Sequence, residues 1–316
     1  MIFILSLIMM LFIFCLYFLI ILILLLIFFH FKRERNFKNQ KYLSSDKKIL
    51  ITGGSLGIGR EIIHLLITLF NCKIINIDIR ESEFNSMNLE YKDKIINIPY
   101  NISKIKNIIT FLKEKNINPD EIDIIINNAG VANNLPIEEI SENQMVSTIE
   151  INLLSPMKII KSFIDNKNKK PELKSKRIHF VTLCSVMSHI ISANSSDYIS
   201  SKWGLYGFVE SIRNEYLYND KYIFTTICPF AVNTGMFPNF FLCMDKKYVS
   251  KEIIKSIALK ETIKFIPNFI NIPIFIYKLC PICISNLIQH YIINPFSKNI
   301  GRREENDALI INLFLK

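Results

Sequence analysis

Short apolar runs alternate with longer amphipathic stretches along the chain from Lys47 onward. The runs predict strands at 49–52, 73–78, 95–100, 122–127, 177–183, 222–228 and 263–266. The stretches between them predict helices at 58–70, 103–115, 142–165, 198–218 and 250–260. Because these strands are apolar on both faces and separated by helices, they indicate a parallel sheet covered on both sides. The predicted fold class is α/β, a doubly wound Rossmann-type sheet of seven strands.

An almost unbroken apolar stretch, Ile2–Phe29, precedes this pattern, and Ser6 is its only distinctly polar member. As a helix rising about 1.5 Å per residue, it exceeds the roughly 30 Å hydrocarbon core of a bilayer. It therefore predicts a membrane anchor over residues 1–31, either transmembrane or monotopic. A cleaved signal peptide is the alternative, which the length and the lack of a basic start and of a small-residue cleavage site disfavour.

A basic linker, residues 32–46, follows the predicted anchor. It begins with Lys32, Arg33, Arg35 and Lys38, whereas no Lys or Arg precedes the apolar stretch. Cytoplasmic flanks of membrane helices carry the excess of basic residues. The linker therefore predicts that the following domain faces the cytosol.

Charge and cysteine content change this picture little. The 316-residue chain carries a formal charge of +10, but its lysines are dispersed among Ile and Asn, so no nucleic-acid partner is predicted. The pair Cys280 and Cys283 has no second pair nearby and lies in an apolar stretch. No metal site is predicted, since a structural zinc site needs four ligands.

Four of the nine glycines fall between positions 53 and 59, directly after the first predicted strand and at the start of a helix. Such a turn lets an anionic group, most often a pyrophosphate, approach the loop amides and the positive end of the helix. A glycine loop alone is a weak signal. Further along the chain stand other polar groups in a recognisable order: Asn127-Asn-Ala-Gly130, Asn152, Ser185 and Tyr198-Ile-Ser-Ser-Lys202.

As a set, these residues resemble the motif series of the short-chain dehydrogenase/reductases over roughly residues 47–270. The stretch Cys228-Pro-Phe-Ala-Val-Asn-Thr-Gly235, Lys264-Phe-Ile-Pro267 and the apolar N-terminus are similar to one membrane-bound group, the 17-beta-hydroxysteroid dehydrogenases type 11 and 13 and epidermal retinol dehydrogenases. The resemblance implies a dehydrogenase domain at 47–266, a location at the endoplasmic reticulum or on lipid droplets, and a homodimer. Residues 267–316 are expected to cap the substrate site and to touch the membrane, or else simply to pack on the core.

The predicted catalytic residues are Asn152, Ser185, Tyr198 and Lys202. Tyr198 and Lys202 are four residues apart on a predicted helix and so share one face. The Lys202 ammonium is expected to lower the pKa of Tyr198 from about 10, which suits a general acid/base. The resemblance implies that Ser185 binds the substrate oxygen, that Lys202 also holds the nicotinamide ribose, and that Asn152 holds a water which relays protons.

The cofactor is predicted to be NAD. Asp78 ends the second strand, where a carboxylate can accept hydrogen bonds from ribose hydroxyls and repel a 2′-phosphate. NADP is the alternative, because Arg60 or Arg80 could pair with that phosphate. Asn127 is expected to brace the central strands. The other predicted cofactor contacts are Gly53, Ser55, Gly57, Ile58, Gly59, Asn128, Ala129, Gly130, Tyr198, Lys202 and Thr234.

The predicted function is a membrane-anchored NAD(P)-dependent oxidoreductase that interconverts a hydrophobic alcohol and a carbonyl, such as a steroid, a retinoid or another lipid. Two alternatives stay open. One is a 3-ketosphinganine reductase that uses NADPH. The other, from a different class, is a non-catalytic dinucleotide-binding scaffold on lipid droplets or the endoplasmic reticulum.

Overall fold

The structure is a computed structural model that describes residues 27–80, 93–170, 176–236 and 243–295, with the single residues 10, 17, 20, 21, 24, 25 and 172. It divides into two units, Met1–Tyr42 and Leu43–Lys316. In the first unit, residues 27–38 are helical. Most of the predicted anchor lies outside the described residues. Within the part described, no helix is both long enough and apolar enough to cross a bilayer.

The second unit is built on a seven-stranded sheet in which every neighbouring pair is parallel. Its strands are β1 (Lys48–Thr52), β2 (Lys73–Asp78), β3 (Ile95–Pro99), β4 (Ile124–Asn127), β5 (Ile178–Leu183), β6 (Tyr222–Pro229) and β7 (Ile263–Ile266). The order β3-β2-β1-β4-β5-β6-β7 reverses direction between β1 and β4. The predicted doubly wound sheet is therefore confirmed. In such sheets ligands bind beyond the carboxyl ends of the strands, near this reversal.

Helices connect the strands. They are α1 (Gly57–Phe70), α2 (Ile108–Glu114), α3 (Glu142–Ile149), α4 (Ser155–Asn168), α5 (Ser196–Glu215), α6 (Lys246–Leu259), α7 (Asn271–Leu279) and α8 (Ile282–Ile288). Two predicted helices are interrupted in the structure, and the others differ from the observed ones by a few residues at their ends. The stretch at 103–115 begins as a separate 3-10 turn, Ile102–Lys104, and α2 starts later because the Asn107 side chain caps it by accepting from the N–H groups of Ile109 and Thr110. The stretch at 142–165 is two helices joined by a π-helical turn, Glu150–Leu154.

The C-terminal described segment is helical but poorly buried. Pro281 separates α7 from α8, and a second π turn, Gln289–Ile293, follows. Ile274 is the one buried residue of α7, and α8 has none. Phe275, Leu279 and Ile282 are exposed. The rest of the predicted cap, residues 296–316, lies outside the described part of the chain.

The main core lies between the sheet and helices α4 and α5. Ile125, Phe180 and Phe224 extend from three adjacent strands into this layer, where Val209 of α5 and Phe163 of α4 meet them. Two residues further along each strand, the same face becomes polar. This row consists of Thr52, Asn127, Thr182 and Thr226, which are register partners across the sheet. It marks the carboxyl edge of the sheet, where the apolar core ends and the site begins.

Candidate active site

A cleft of about 410 Å³ opens at the carboxyl edge of the sheet. The loops after β1, β2, β4, β5 and β6 line it, as does the start of α5. Of the residues predicted from the sequence to form the site, all but Ser55 and Asn152 line this cleft: Gly53, Gly57, Ile58, Gly59, Asp78, Asn128, Ala129, Gly130, Ser185, Tyr198, Lys202 and Thr234. The fold therefore brings together residues that lie far apart in the sequence.

The loop after β1 is clamped to the loop after β4. The hydroxyl of Thr52 accepts hydrogen bonds from the N–H groups of Asn128 and Ala129, both at 3.2 Å. The Asn128 amide donates to the carbonyls of Thr52 at 3.0 Å and of Gly53 at 2.6 Å. Gly53 has φ +69°, and a Cβ there would lie 2.7 Å from Cα of Ala129. Only glycine at this position allows the two backbones to approach so closely.

Asn127 does not brace the strands as expected. Its side-chain oxygen and nitrogen are buried and have no hydrogen-bond partner among the described residues. Thr182 is the register partner of Asn127 on β5, and its hydroxyl is likewise buried with no hydrogen-bond partner among the described residues. The bracing interaction belongs to Asn128, because the chain turns after β4 and directs the next side chain back onto β1.

The N-terminus of α1 is open toward the cleft. Leu56 occupies the N-cap and offers no side-chain hydrogen bond, and the first turn holds no acidic residue. The first N–H groups of a helix have no partner within it and attract anions. Gly57 has φ +57°, and a Cβ on Gly59 would overlap the carbonyl oxygen of Gly53. This bare, electropositive turn fits the pyrophosphate of a dinucleotide.

Asp78 ties the end of β2 to the glycine loop. Its carboxylate accepts hydrogen bonds from the N–H groups of Ser55 at 2.9 Å and Arg80 at 3.0 Å. The Ser55 hydroxyl donates to the carbonyl of Arg80 at 3.2 Å. Ser55 is thus buried behind the loop instead of facing the cleft. Asp78 keeps its place on the cleft wall beside Arg80.

Asn76 supports the same loop and was not predicted as a site residue. It is buried in β2, where its oxygen accepts from the N–H of Gly54 at 3.0 Å. Its amide donates to the Ser55 hydroxyl at 3.3 Å and to the side-chain oxygen Oδ1 of Asn97 at 3.1 Å. The available signal was an asparagine in the middle of an otherwise apolar strand.

Ser185, Tyr198 and Lys202 meet on one wall of the cleft. Ser185 follows β5, and its hydroxyl accepts from the N–H of Met187 at 3.1 Å. The phenol of Tyr198 is hydrogen-bonded to the Ser185 side chain. Lys202 donates from Nζ to the carbonyl of Leu183 at 2.8 Å, and Nζ lies 5.8 Å from the ring centroid of Tyr198. All three side chains are buried.

The protonation of Tyr198 differs from the expectation. Burial raises the pKa of Tyr198 to about 12, although the hydrogen bond with Ser185 acts in the opposite direction. The predicted lowering by Lys202 is wrong for this arrangement, since desolvation outweighs the favourable contacts of the phenolate. Burial likewise lowers the pKa of Lys202. At neutral pH the phenol therefore carries its proton.

Asn152 lies in the π turn and is fully buried. Its oxygen accepts from the N–H of Val131 at 2.8 Å, while its amide donates to the carbonyl of Val131 at 2.8 Å and to the Ser201 hydroxyl at 3.0 Å. A Cβ on Gly130 would lie 3.4 Å from Oδ1 of Asn152 and 3.6 Å from Nζ of Lys202. The structure thus brings Asn152 beside Lys202, where it fixes the loop beyond Gly130.

The remaining wall of the cleft is apolar and comes from three separate segments. Its residues lie in loops and short helical turns, where no periodic pattern identifies them in the sequence. They are Val186, Met187, Ile190, Phe230, Met236, Ile292 and Ile293. The last two belong to the π turn after α8. Thr234 lies at the junction with the glycine loop, where its methyl group would be 3.2 Å from a Cβ on Gly57.

The profile of the short chain dehydrogenase family matches residues 47–242, which is more than half of the chain. The chain therefore belongs to the short-chain dehydrogenase family, and it is an NAD(P)-dependent oxidoreductase.

Curated relatives are similar at modest identity. A 3-oxoacyl-(acyl-carrier-protein) reductase of Buchnera aphidicola is 28% identical over 72% of this chain and 91% of its own length. Epidermal retinol dehydrogenase 2 of Mus musculus is 28% identical over 54% of this chain, and 17-beta-hydroxysteroid dehydrogenase 13 of Rattus norvegicus is 26% identical over 58%. The chain spans only 57% and 61% of these last two proteins.

Solved structures share the fold. A short-chain dehydrogenase/reductase from Burkholderia phymatum in complex with NAD superposes with a TM-score of 0.64 at 15% identity, covering 74% of this chain and 92% of that one. One from Burkholderia cenocepacia in complex with NADP gives 0.59 at 14% identity, covering 70% and 89%.

Proposed function

We propose that this oxidoreductase interconverts a hydrophobic alcohol and its carbonyl, with a steroid, a retinoid or another lipid as substrate. The observation that carries the proposal is the apolar wall beside Ser185 and Tyr198, to which Met187, Phe230 and Ile292 contribute. Clefts of this size take up apolar ligands and fix them with a few polar groups. The names of two relatives, a retinol dehydrogenase and a hydroxysteroid dehydrogenase, point to the same class.

Tyr198 acts as the general acid/base in this proposal. Its protonated phenol, hydrogen-bonded to Ser185, can donate to the oxygen of a carbonyl substrate. Ser185 would hold that oxygen in place through its own hydroxyl. Lys202, fixed by the carbonyl of Leu183, would orient the cofactor ribose, and Asn152 would support Lys202 through a bound water. The bound dinucleotide supplies or accepts the hydride.

NAD is the proposed cofactor. Asp78 lies on the cleft wall where the adenosine ribose of a dinucleotide is held in this fold, and its negative charge opposes a 2′-phosphate. The same charge argues against the 3-ketosphinganine reductase alternative, which requires NADPH. Arg80, on the same wall, is the residue that would favour NADP if the loop shifted.

The experiment that tests the substrate class uses purified full-length protein with NAD or NADP and three secondary alcohols of increasing chain length. Formation of reduced nicotinamide is recorded by its absorbance, which belongs to the cofactor and not to the protein. We expect kcat/KM to rise with chain length. A value of kcat/KM that is flat or falls with chain length would contradict the lipophilic substrate. No turnover of any of the three alcohols, and none of the matching ketones with reduced cofactor, would favour the scaffold alternative.

We further propose that residues 1–31 anchor the enzyme at the endoplasmic reticulum or on lipid droplets, with a homodimeric catalytic domain in the cytosol. The cations at 32–38 resist crossing a membrane. A variant lacking residues 2–31 should be released, at least in part, from carbonate-washed membranes. Protease added outside intact microsomes should digest the catalytic domain, and its full protection would show the opposite orientation.

A further inference from the structure

A polar contact joins the C-terminal helices to the catalytic loop. Lys278, on α7, extends its Nζ to within 2.9 Å of Nδ1 of His189. His189 is buried and ends the 3-10 turn Val186–Ser188, which directly follows Ser185. The contact therefore connects α7 to the loop that begins at Ser185.

The chemistry of the contact fixes the state of the imidazole. An ammonium group only donates hydrogen bonds, so Nδ1 of His189 must accept and the ring proton must lie on Nε2. Nε2 faces Sγ of Cys228 at 3.6 Å. The ring packs edge-on against Tyr206, with centroids 4.3 Å apart, and at 5.0 Å from Phe265. His189 is thus a neutral acceptor held rigidly by three other elements.

A second contact lies one helix further along. The side-chain amide of Gln289 donates to the backbone carbonyl of Ile191 at 2.9 Å, and the hydroxyl of Tyr277 donates to the side-chain oxygen Oε1 of Gln289 at 3.4 Å. Ile292 and Ile293 follow Gln289 in the same π turn and line the cleft. Both contacts therefore end on the loop after Ser185, and both precede in sequence the two isoleucines that line the cleft.

Little else in the described residues fixes these helices to the domain. Ile274 is the one buried side chain of α7, and α8 contributes none. Apolar burial, which normally secures a helix, is therefore small here. Lys278 and Gln289 provide polar contacts between this segment and the loop after Ser185.

We propose that Lys278 and Gln289 are positioning residues that hold the C-terminal helices against the catalytic loop and so form the distal wall of the substrate site. The part of the substrate that meets this wall is its apolar end, remote from the reacting oxygen. This inference rests on the proposed lipophilic substrate. It predicts that loosening the contacts weakens binding of long substrates and leaves the chemistry at Tyr198 intact.

The test compares Lys278→Met with Lys278→Arg in the full-length protein, using 2-butanol and 2-dodecanol as probes with NAD at one fixed detergent concentration. For Lys278→Met we expect KM for 2-dodecanol to rise about tenfold, the size of one charged hydrogen bond, with kcat and the KM for 2-butanol unchanged. Lys278→Arg, which still donates to His189, should restore the KM. Lys247→Met, at an exposed lysine of α6, is the matched control.

A loss of kcat alone, or an equal KM change for both alcohols, would overturn the proposal. Amide hydrogen exchange tests the Lys278 contact directly, and so distinguishes a failure of this proposal from a failure of the proposed substrate class. Exchange over residues 186–193 and 271–293 should rise in Lys278→Met and stay unchanged in Lys278→Arg and Lys247→Met. If the wild type oxidised neither alcohol, the substrate class would be wrong, and this exchange pattern would still support the contact. Unchanged exchange in Lys278→Met would overturn it.

Discussion

At the scale of single residues, the proposed chemistry depends on how two titratable groups are held. Tyr198 and Lys202 are both buried, and burial shifts the pKa of each toward its neutral form. Asp78 accepts two backbone N–H groups, from Ser55 and Arg80, in addition to facing the cleft. Each of these residues therefore has a structural partner as well as a proposed functional one, and substitutions must separate the two.

Tyr198→Phe should abolish turnover while leaving the fold and NAD binding intact, because only the acid/base hydroxyl is removed. We expect a loss of about 100-fold to 10,000-fold in kcat, the usual contribution of a positioned proton donor. The measurements are kcat, the thermal midpoint and a fluorescence titration with NADH. Tyr218→Phe, at a tyrosine that is 98% exposed, is the control. Retention of a large share of the wild-type rate would refute the assignment.

Asp78→Ala should narrow or invert the preference for NAD over NADP. It removes the charge that opposes a 2′-phosphate and also the acceptor for two loop amides, so the affinity for NAD should fall while that for NADP falls less or rises. Titration calorimetry with both cofactors measures the ratio. Asp220→Ala, at a carboxylate that is 94% exposed, should change neither affinity. Tighter binding of NADP by the wild type would instead make Arg80 or Arg60 the determinant.

At the scale of elements, the sheet edge is assembled by turns that cross one another. The glycine loop, the loop after β4 and strand β2 are tied together by Thr52, Asn128 and Asn76. The loop and its glycines follow from the sequence, because a positive φ and a missing Cβ are local properties. The supports do not follow, because a hydrogen bond between strands depends on their register and on the direction of the next turn.

Substitution by alanine should impair the protein at one glycine, Gly59, and stabilise it at another, Gly207. In Gly59→Ala the new Cβ would overlap the carbonyl oxygen of Gly53, so the loop must shift, and NAD binding should be lost. In Gly207→Ala, within α5, the new Cβ meets no atom within 4 Å. That change should stabilise the protein by about 0.5–1 kcal/mol, since glycine is a poor helix former. Urea unfolding and NADH titration of both variants provide the test, and normal NAD binding by Gly59→Ala would contradict the loop assignment.

At the scale of the whole molecule, the unit that holds the sheet buries two histidines, one within the sheet and one near the cleft. His179 is buried in β5 and hydrogen-bonded to Thr225 at 2.8 Å, and His189 is buried near the cleft. Burial lowers the pKa of His179 to about 3 and, together with the nearby Lys278, that of His189 to about 4. The folded state therefore disfavours protonation of both rings.

Stability should accordingly fall in mild acid. Because both folded pKa values lie below the unfolded value of about 6.5, their contribution is complete above that pH and is lost as the pH falls toward the folded values. His179 alone should contribute a slope of up to about 1.4 kcal/mol per pH unit. Urea midpoints between pH 7.5 and about 5.5, above the range where ordinary carboxylates titrate, measure it. His179→Gln should flatten the profile, and an unchanged slope would contradict this account.

The sequence by itself determined the local features of this protein: the strands and helices, the glycine turn, and the shared face of Tyr198 and Lys202. These depend on periodicity and backbone sterics within a few residues. Only the tertiary structure decided that Asn128 and not Asn127 braces β1, that Asp78 anchors the loop, and that burial raises the pKa of Tyr198. It also decided which apolar residues line the cleft, such as Val186, Phe230 and Ile293. The physical reason is that burial, desolvation and hydrogen bonds between strands are sums over segments far apart in the chain, and no local pattern carries them.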